Sequence, residues 1–376
     1  MRDPGLDSAE IVIIGAGLAG ASVAYHLAIK GAENILILEK EPIPGFHASG
    51  RNAAVIHQTI SDEVICILAR ESTRFFMDPP APFPLPLNFN QNGSLLIVEG
   101  KGEMKRLQRE AEMQRRVGVP VEVLGPGDLT KRVPLLSPEN LSGGSWCPTD
   151  GVIDIHSLLQ GFLKGATCRG ARLQTGCEVK TILTERRKVT GVITSSGRLN
   201  ARGVVNAAGA WAGHIGEMAG VKAPLKPFRR HLVLTEPIPG GDPSWPFVWN
   251  LSDPFYFRPE SGGLLLSPCD EEEFHPCDPP VDMEIIGMAA SKATRFFPSL
   301  ANAGIIRSWA CLRILTPDHR FIIGEDPELK GFFWVAGLGG HGVTCSPIIG
   351  RISADLILYG KTDIQDSAYL SPGRFR

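Results

Sequence analysis

The chain has 376 residues, 43% of them apolar, with 38 basic and 40 acidic side chains and a formal net charge of −2. That length exceeds what one hydrophobic core usually spans, so two domains are expected, and the near-neutral charge argues against a nucleic-acid surface or a polybasic membrane anchor. No apolar run approaches the roughly 20 residues of a membrane span, Met1-Arg2-Asp3-Pro4 lacks a signal pattern, and eight scattered cysteines read as reduced thiols; together these predict a cytoplasmic protein.

Near the N-terminus, Ile11-Val12-Ile13-Ile14 runs into Gly15-Ala16-Gly17-Leu18-Ala19-Gly20, and a second apolar run, Ile35 to Leu38, ends in Glu39 and Lys40. The pattern is a strand, a glycine-rich turn, a helix from Ala21 to Ile29 and a strand tipped with acid. Gly15 permits the tight turn, Gly17 leaves room for a pyrophosphate to approach the backbone, and Gly20 lets the helix pack closely on the sheet. The start of the helix, beside Leu18 and Ala19, offers unpaired N–H groups and a partial positive charge to phosphates. Glu39 is placed to accept hydrogen bonds from an adenosine ribose. This unit predicts a dinucleotide and leaves NAD and FAD both open.

A turn-rich loop from Pro42 to Gly50 and a helix from Asp62 to Phe76 follow. The run Pro79-Pro80-Ala81-Pro82-Phe83-Pro84-Leu85-Pro86 breaks regular structure and marks a crossing into another domain. Ser94 to Glu99 reads as a strand, and Lys101 to Arg116 as a charged helix with a solvated face. An amphipathic helix spans Asp154 to Gly165, and short strands span Ala171 to Lys180 and Lys188 to Ile193. Gly203 to Trp211 is a buried-type strand ending in the small residues Ala207-Ala208-Gly209, which allow backbone to approach a ligand closely. From Lys226 to Pro298 the pattern is antiparallel, with strands at His231 to Thr235, Phe255 to Arg258 and Leu264 to Ser267, then a helix over Asp282 to Phe296. Cys269, His275 and Cys277 come nearest to a metal cluster but lack a second ligand pair at zinc-site spacing, so no metal is expected.

The C-terminal part returns to α/β character, with a strand from Gly331 to Ala336, the loop Gly337-Leu338-Gly339-Gly340-His341-Gly342-Val343-Thr344, and a helix from Pro347 to Tyr359. Four glycines in six positions carry an entropic cost that a mere surface turn does not explain. A nicotinamide enzyme needs one such loop, whereas a long flavin must be gripped at both its adenosine and its isoalloxazine end. Two glycine loops leading into helices therefore favour FAD. The second helix start would stabilise negative charge at the N1/C2=O edge of the reduced ring.

Gly15 to Gly20 with Glu39, Gly45-Phe46-His47-Ala48-Ser49-Gly50-Arg51-Asn52, Asn206-Ala207-Ala208-Gly209-Ala210-Trp211, and Thr316-Pro317-Asp318 followed by Phe333 to Gly337 resemble the FAD-dependent amino-acid and amine oxidoreductases. That family includes D-amino-acid oxidase, the glycine and sarcosine oxidases and D-arginine dehydrogenase. The resemblance runs in order over nearly the whole chain. Phe75-Phe76-Met77-Asp78-Pro79-Pro80 and Phe255-Tyr256-Phe257-Arg258-Pro259 bring the chain nearest to D-arginine dehydrogenase. It implies an α/β fold with a Rossmann-like, glutathione-reductase-like FAD-binding domain assembled from 1–84, 146–222 and 307–376. An antiparallel α+β substrate domain from 85–145 and 223–306 is inserted between these segments. It also implies that Ser49, Gly50, Arg51 and Asn52 lie beside the flavin and its phosphates, with Val179 beside the adenine.

The same resemblance implies hydride transfer from the α carbon of a carboxylate-bearing substrate to flavin N5, giving an imine and then a keto acid. Arg313 and Arg230 match the positions that clamp the carboxylate, a task suited to the planar guanidinium fork. Tyr256 matches a pocket tyrosine, and His341 in the second glycine loop is a candidate for approaching flavin or substrate. Two departures bear on the substrate: D-arginine dehydrogenase has a histidine where this chain has Val55, and an acid near Gly93-Ser94. Without that acid a cationic side chain would be buried unpaired at a cost of several kcal/mol. A small neutral amino acid, a D-amino acid, or an N-methyl or imino acid fits better. Cys311 matches the cysteine that binds flavin covalently in monomeric sarcosine oxidase, so a thioether link and non-covalent FAD both stay open, as do O2, a quinone or a protein as the electron acceptor. Two other functions compete: an FAD-dependent 2-hydroxy-acid dehydrogenase, and an electron-carrier flavoprotein without a small substrate of its own.

Overall fold

The computed structural model describes residues 8–376 apart from 82, 138, 140, 365 and 366, so Met1 to Pro4 and Pro82 of the proline run lie outside the described residues. The apolar run at the N-terminus forms a strand, Ser8–Ile14, whose last four residues are buried. A strand buried on both faces reads as continuous apolar sequence and suits a parallel sheet covered by helices. It lies between two parallel neighbours, Ile35–Leu38 and Gly197–Asn206. The sheet has eight strands in the order Val179–Glu185, Lys188–Thr194, Leu329–Ala336, Gly197–Asn206, Ser8–Ile14, Ile35–Leu38 and Arg172–Gln174, with Ile322–Asp326 paired beside Leu329–Ala336.

Helix Leu18–Ile29 is buried on nearly every face, as its uniformly apolar sequence requires. It packs against helices Ile155–Thr167 and Ser346–Tyr359. The last of these approaches so closely that a Cβ on Gly350 would stand 2.6 Å from the Ser22 carbonyl carbon. The two helices that follow the two glycine loops are therefore packed side by side.

A second sheet of nine strands runs Glu272–Glu273, Lys226–Thr235, Gly263–Ser267, Phe255–Glu260, Phe247–Asn250, Ser94–Val98, Gly143–Cys147 and Glu122–Leu124, with Ile305–Leu315 paired along Lys226–Thr235. Its pairings are antiparallel except between Phe247–Asn250 and Ser94–Val98. Helix Met283–Phe296 covers it through Ile286, Ala289, Ala293 and Phe296, which join Phe255, Phe257 and Leu266 in one core. A small three-stranded sheet of Val55–Ile56, Gly151–Ile153 and Phe89–Asn90 completes the architecture. The fold is thus Rossmann-like α/β with a mainly antiparallel second layer. Among the described residues no helix is long and apolar enough to cross a membrane.

Several elements differ from the sequence-based expectation. The first helix starts at Leu18 rather than Ala21, because Gly17 takes the extended cap conformation directly. The stretch read as one strand over Ala171 to Lys180 is two strands, with Gly176 at φ +64 turning the chain between them. The strand before Ala207 begins at Gly197 and stops at Asn206, and Gly209–Trp211 is a 3₁₀ turn. Ile305–Leu315 and Ile322–Asp326 were not expected as strands at all. Arg307, Ser308 and Arg313 interrupt the apolar alternation of the first, which is exposed over Ile305 to Arg307, buried over Ala310 to Leu312 and hydrogen-bonded antiparallel along Lys226–Thr235. This strand, taken from the sequence to fall largely within the flavin-binding segment 307–376, is hydrogen-bonded into the second sheet.

Candidate active site

Three parallel strands, Ser8–Ile14, Gly197–Asn206 and Leu329–Ala336, end at one edge of the first sheet and release their loops there. An elongated cavity of about 490 Å³ runs from these loops to the face of the second sheet. At its near end Gly15 has φ +103, and a Cβ there would stand 2.5 Å from the Ala207 carbonyl oxygen. A side chain at Gly17 would meet Ser49 Oγ at 2.9 Å, the same oxygen that accepts a hydrogen bond from Leu18 N at 2.9 Å. Gly15, Gly17, Leu18 and Ala19 line the cavity with bare backbone, as a phosphate cradle needs.

Glu39 is buried and lines the same end. Its oxygens accept from Ala16 N at 2.8 Å and Glu41 N at 3.0 Å, and each keeps a lone pair for a ribose hydroxyl. Lys40 Nζ sits 3.2 Å above the Trp211 ring, against which His47 also packs. Val179, Ala207, Ala208 and Gly209 complete this end.

Three expected cofactor residues stand away from the cavity. A Cβ on Gly20 would lie 2.0 Å from the Gly15 carbonyl oxygen, so Gly20 serves the turn itself. Gly50 is likewise pressed against Gly45. Thr344 is buried, and its hydroxyl faces the backbone of Val55 and His57. Asn52 lines the cavity yet spends its amide holding the Ala48 and Ser49 carbonyls at 3.1 and 2.8 Å. Arg51, expected to face phosphate, forms a two-pronged ion pair with Asp278 at the cavity mouth.

At the far end the second glycine loop meets the second sheet. Gly337 and Gly339 have φ +70 and +53, and Gly339 N donates to the Ile314 carbonyl at 2.9 Å. Gly340 leaves space for Arg313, whose Nη1 would lie 2.9 Å from a Cβ there. Gly342, Val343 and His341 carry the lining on to helix Ser346–Tyr359.

Arg313 lines the cavity, and among the described residues no hydrogen bond or ion pair holds its guanidinium. Arg230 differs: it is buried and paired with Glu271 at 2.7 Å. Tyr256 is buried beside them, and burial pushes its phenol further up, so it remains a donor. Cys311 is buried on the same wall, with its thiol also pushed up by burial.

Sequence reasoning missed four residues of this wall: His57, Phe247, Trp249 and Glu271. His57 follows a two-residue strand too short to show periodicity, and Glu271 sits in a stretch read as turns. Phe247 and Trp249 lie on the four-residue strand Phe247–Asn250, where the intervening Val248 is also apolar and buried, so no alternation marks the face turned to the cavity. Cys269, His275 and Cys277 are not gathered into a ligand set, and among the described residues no group of three His, Cys, Asp or Glu side chains is arranged to hold a metal.

The cradle at Gly15 and Gly17, the acid at Glu39 and the second loop at Gly337 to Gly342 fit an extended FAD along this cavity. The chain belongs to the FAD-dependent oxidoreductase (DAO) family, whose model matches residues 10–356. Among solved structures it resembles L-proline dehydrogenase from P. horikoshii, with a TM-score of 0.91, 31% identity and 98% of each chain covered. It is 29% identical to human mitochondrial sarcosine dehydrogenase over 95% of this chain and 40% of that protein. It is 28% identical to 4-methylaminobutanoate oxidase (formaldehyde-forming) of Paenarthrobacter nicotinovorans over 98% of this chain and 46% of that protein. The chain thus spans less than half the length of these two relatives.

Proposed function

We propose that this chain oxidises a small secondary amine that carries a carboxylate, such as a cyclic imino acid or an N-methyl amino acid. The observation that carries this reading is Arg313, a guanidinium in the cavity with no protein partner among the described residues. A cation kept free of protein partners at a ligand cavity calls for an anionic guest, and its fork matches a carboxylate with two parallel charge-assisted bonds. Arg230 does not compete for that role, because Glu271 already neutralises it. Beyond Arg313 the wall is aromatic: Phe247 and Tyr256 have ring centroids 5.3 Å apart, with Trp249 6.2 Å from Tyr256. Such a wall suits an N-methyl group or a saturated ring.

FAD, when bound, supplies the two-electron acceptor for the substrate's α hydride. The chain's own residues bind and orient: Arg313 fixes the carboxylate, and the protonated Tyr256 phenol offers a further donor. The aromatic wall keeps water from the α carbon. The three relatives named above bear names that specify sarcosine, L-proline and 4-methylaminobutanoate, each a secondary amine with a carboxylate. The division into an FAD-binding part (1–84, 146–222, 307–376) and a substrate-binding part (85–145, 223–306) is part of the same reading.

An anaerobic screen tests it. Loss of flavin absorbance is expected with L-proline, sarcosine or a related secondary amino acid. Bleaching by lactate or 2-hydroxyglutarate alone would move the assignment to a hydroxy-acid dehydrogenase. Unchanged reduction in Arg313→Ala would remove the carboxylate clamp and the reading with it.

A further inference from the structure

We propose that His57 takes the proton that leaves the substrate's amine, acting as the base of the occupied pocket. The inference rests on the secondary-amine reading above.

His57 is 7% exposed and lines the cavity that holds Arg313. Its Nδ1 is buried without a hydrogen-bond partner, and among the described residues nothing hydrogen-bonds the imidazole at either nitrogen. The backbone beneath it is fixed on both sides. His57 N donates to Thr344 Oγ1 at 3.3 Å, and Gln58 N donates to the fully buried Asp150 at 3.0 Å. The ring is held between Trp249, Phe247 and His341, with centroids 5.8, 6.2 and 5.2 Å away. Trp249 Nε1 and His341 Nδ1 are also buried without partners. Three buried, unpaired polar atoms along one wall favour a guest that donates and accepts hydrogen bonds. A carboxylate-bearing amine does both.

The charged and titratable groups around His57 explain its state. His341 packs against it, Arg313 lines the same cavity, the Arg230–Glu271 pair and Tyr256 stand on the second sheet, and Asp150 lies behind it through Gln58. Burial first, and the Arg313 guanidinium second, hold the His57 imidazole down to about 4. At neutral pH the ring is therefore unprotonated, with one nitrogen lone pair available as an acceptor. When a substrate carboxylate docks on Arg313, it cancels that second influence, and His57 becomes a stronger base. The step balances as an acid–base exchange. The ammonium N–H bond breaks, its proton passes to a ring nitrogen of His57 to give imidazolium, and the substrate nitrogen keeps the electron pair. The imidazolium is the stronger acid of the two and passes the proton on to solvent, so His57 acts as a relay between the bound ammonium and bulk water. Without that relay only substrate that enters as the free amine reacts, a small fraction near neutral pH.

The experiment has two arms on the FAD-loaded protein. In the first, 2-furoate, a carboxylate lacking a basic nitrogen, is titrated calorimetrically at about pH 5 in buffers of different ionisation enthalpy, within the window where His57 titrates. Wild type is expected to take up a fraction of a proton per ligand bound, and His57→Gln to lose that uptake while still binding 2-furoate. In the second, anaerobic flavin reduction by the secondary amino acid should slow about 100-fold in His57→Gln at neutral pH. Its rate should then climb tenfold per pH unit towards the free amine's own pKa, where wild type has levelled off. His57→Asn, checked for flavin content, repeats both readouts if the Gln variant folds poorly. Absence of proton uptake by wild type, or a variant with the wild-type rate and pH profile, would overturn the proposal. If 2-furoate does not bind, or no secondary amine bleaches wild type, the functional reading itself fails instead.

Discussion

Gly340→Ala tests the carboxylate clamp without touching it chemically. The added Cβ would stand 2.9 Å from Arg313 Nη1 and 3.4 Å from Cζ. Ordinary contact begins near 3.4–3.5 Å, so the guanidinium must retreat by about half an ångström. The backbone at Gly340 is not in the left-handed region, and the clash is with the end of a flexible side chain rather than with main chain, so the fold should survive. A charge-assisted hydrogen bond contributes about 1.5–3 kcal/mol, and at about 1.4 kcal/mol per tenfold its weakening or loss raises KM about 10- to 100-fold. A clamp that holds the carboxylate equally in ground and transition states predicts that kcat changes little. Steady-state assays with an artificial electron acceptor give KM and kcat, and flavin spectral perturbation by 2-furoate gives Kd. If both KM and Kd stay within about twofold of wild type in a flavin-replete variant, Arg313 does not hold the carboxylate.

Gly20→Ala should abolish flavin retention, because its Cβ would lie 2.0 Å from the Gly15 carbonyl oxygen and no side chain can yield. Gly17→Ala meets only Ser49 Oγ at 2.9 Å and should retain part of its flavin, so equal flavin-to-protein ratios would contradict the distinction. Burial raises Asp150 to about 6 despite hydrogen bonds from Ser94 and Gln58. The unfolded chain thus ionises this group first, and the native state loses up to about 3 kcal/mol between pH 4 and 6, a loss that persists above. Asp150→Asn keeps an acceptor for Gln58 and should be more stable than wild type at pH 7 but not at pH 4; urea melts showing a less stable variant at pH 7 would refute this. Burial keeps the Cys311 thiol protonated and unreactive. Acid precipitation should accordingly leave a colourless pellet and a yellow supernatant, and a yellow pellet would establish a covalent link.

The first glycine turn, its helix and its acid were legible because each is a local pattern with one mechanical meaning. The place of Arg313 and Tyr256 on the cavity wall was legible only through family resemblance, since nothing in the spacing of Trp309 to Arg313 points there. The placing of Arg51 and Thr344 was not legible, whereas the close approach of Gly20 to the turn and strand was. Whether a loop arginine meets phosphate or Asp278 depends on a chain segment more than two hundred residues away. His57 and Glu271 escaped for the same reason: a two-residue strand and a proline-rich turn carry no periodicity, and only tertiary packing turns them toward the cavity. What the sequence withheld was the pairing of Arg230 with Glu271, which decides how many free charges the pocket holds.

The parallel register of the first sheet pairs Ile14 with Asn206 and Val204 with Phe332. The groove that fits the cofactor is therefore assembled from an early, a middle and a late part of the chain. A growing polypeptide displays its dinucleotide fingerprint almost at once, yet has no groove until Leu329–Ala336 has slid in beside Gly197–Asn206. Loop closure over such separations is slow and comes at a large entropic cost. A fragment ending before residue 329 should leave flavin entirely free in solution, whereas the whole chain holds it like a zip fastened from both ends. Flavin capture then reports that the fold has closed, which makes the yellow colour of the protein a folding assay in its own right.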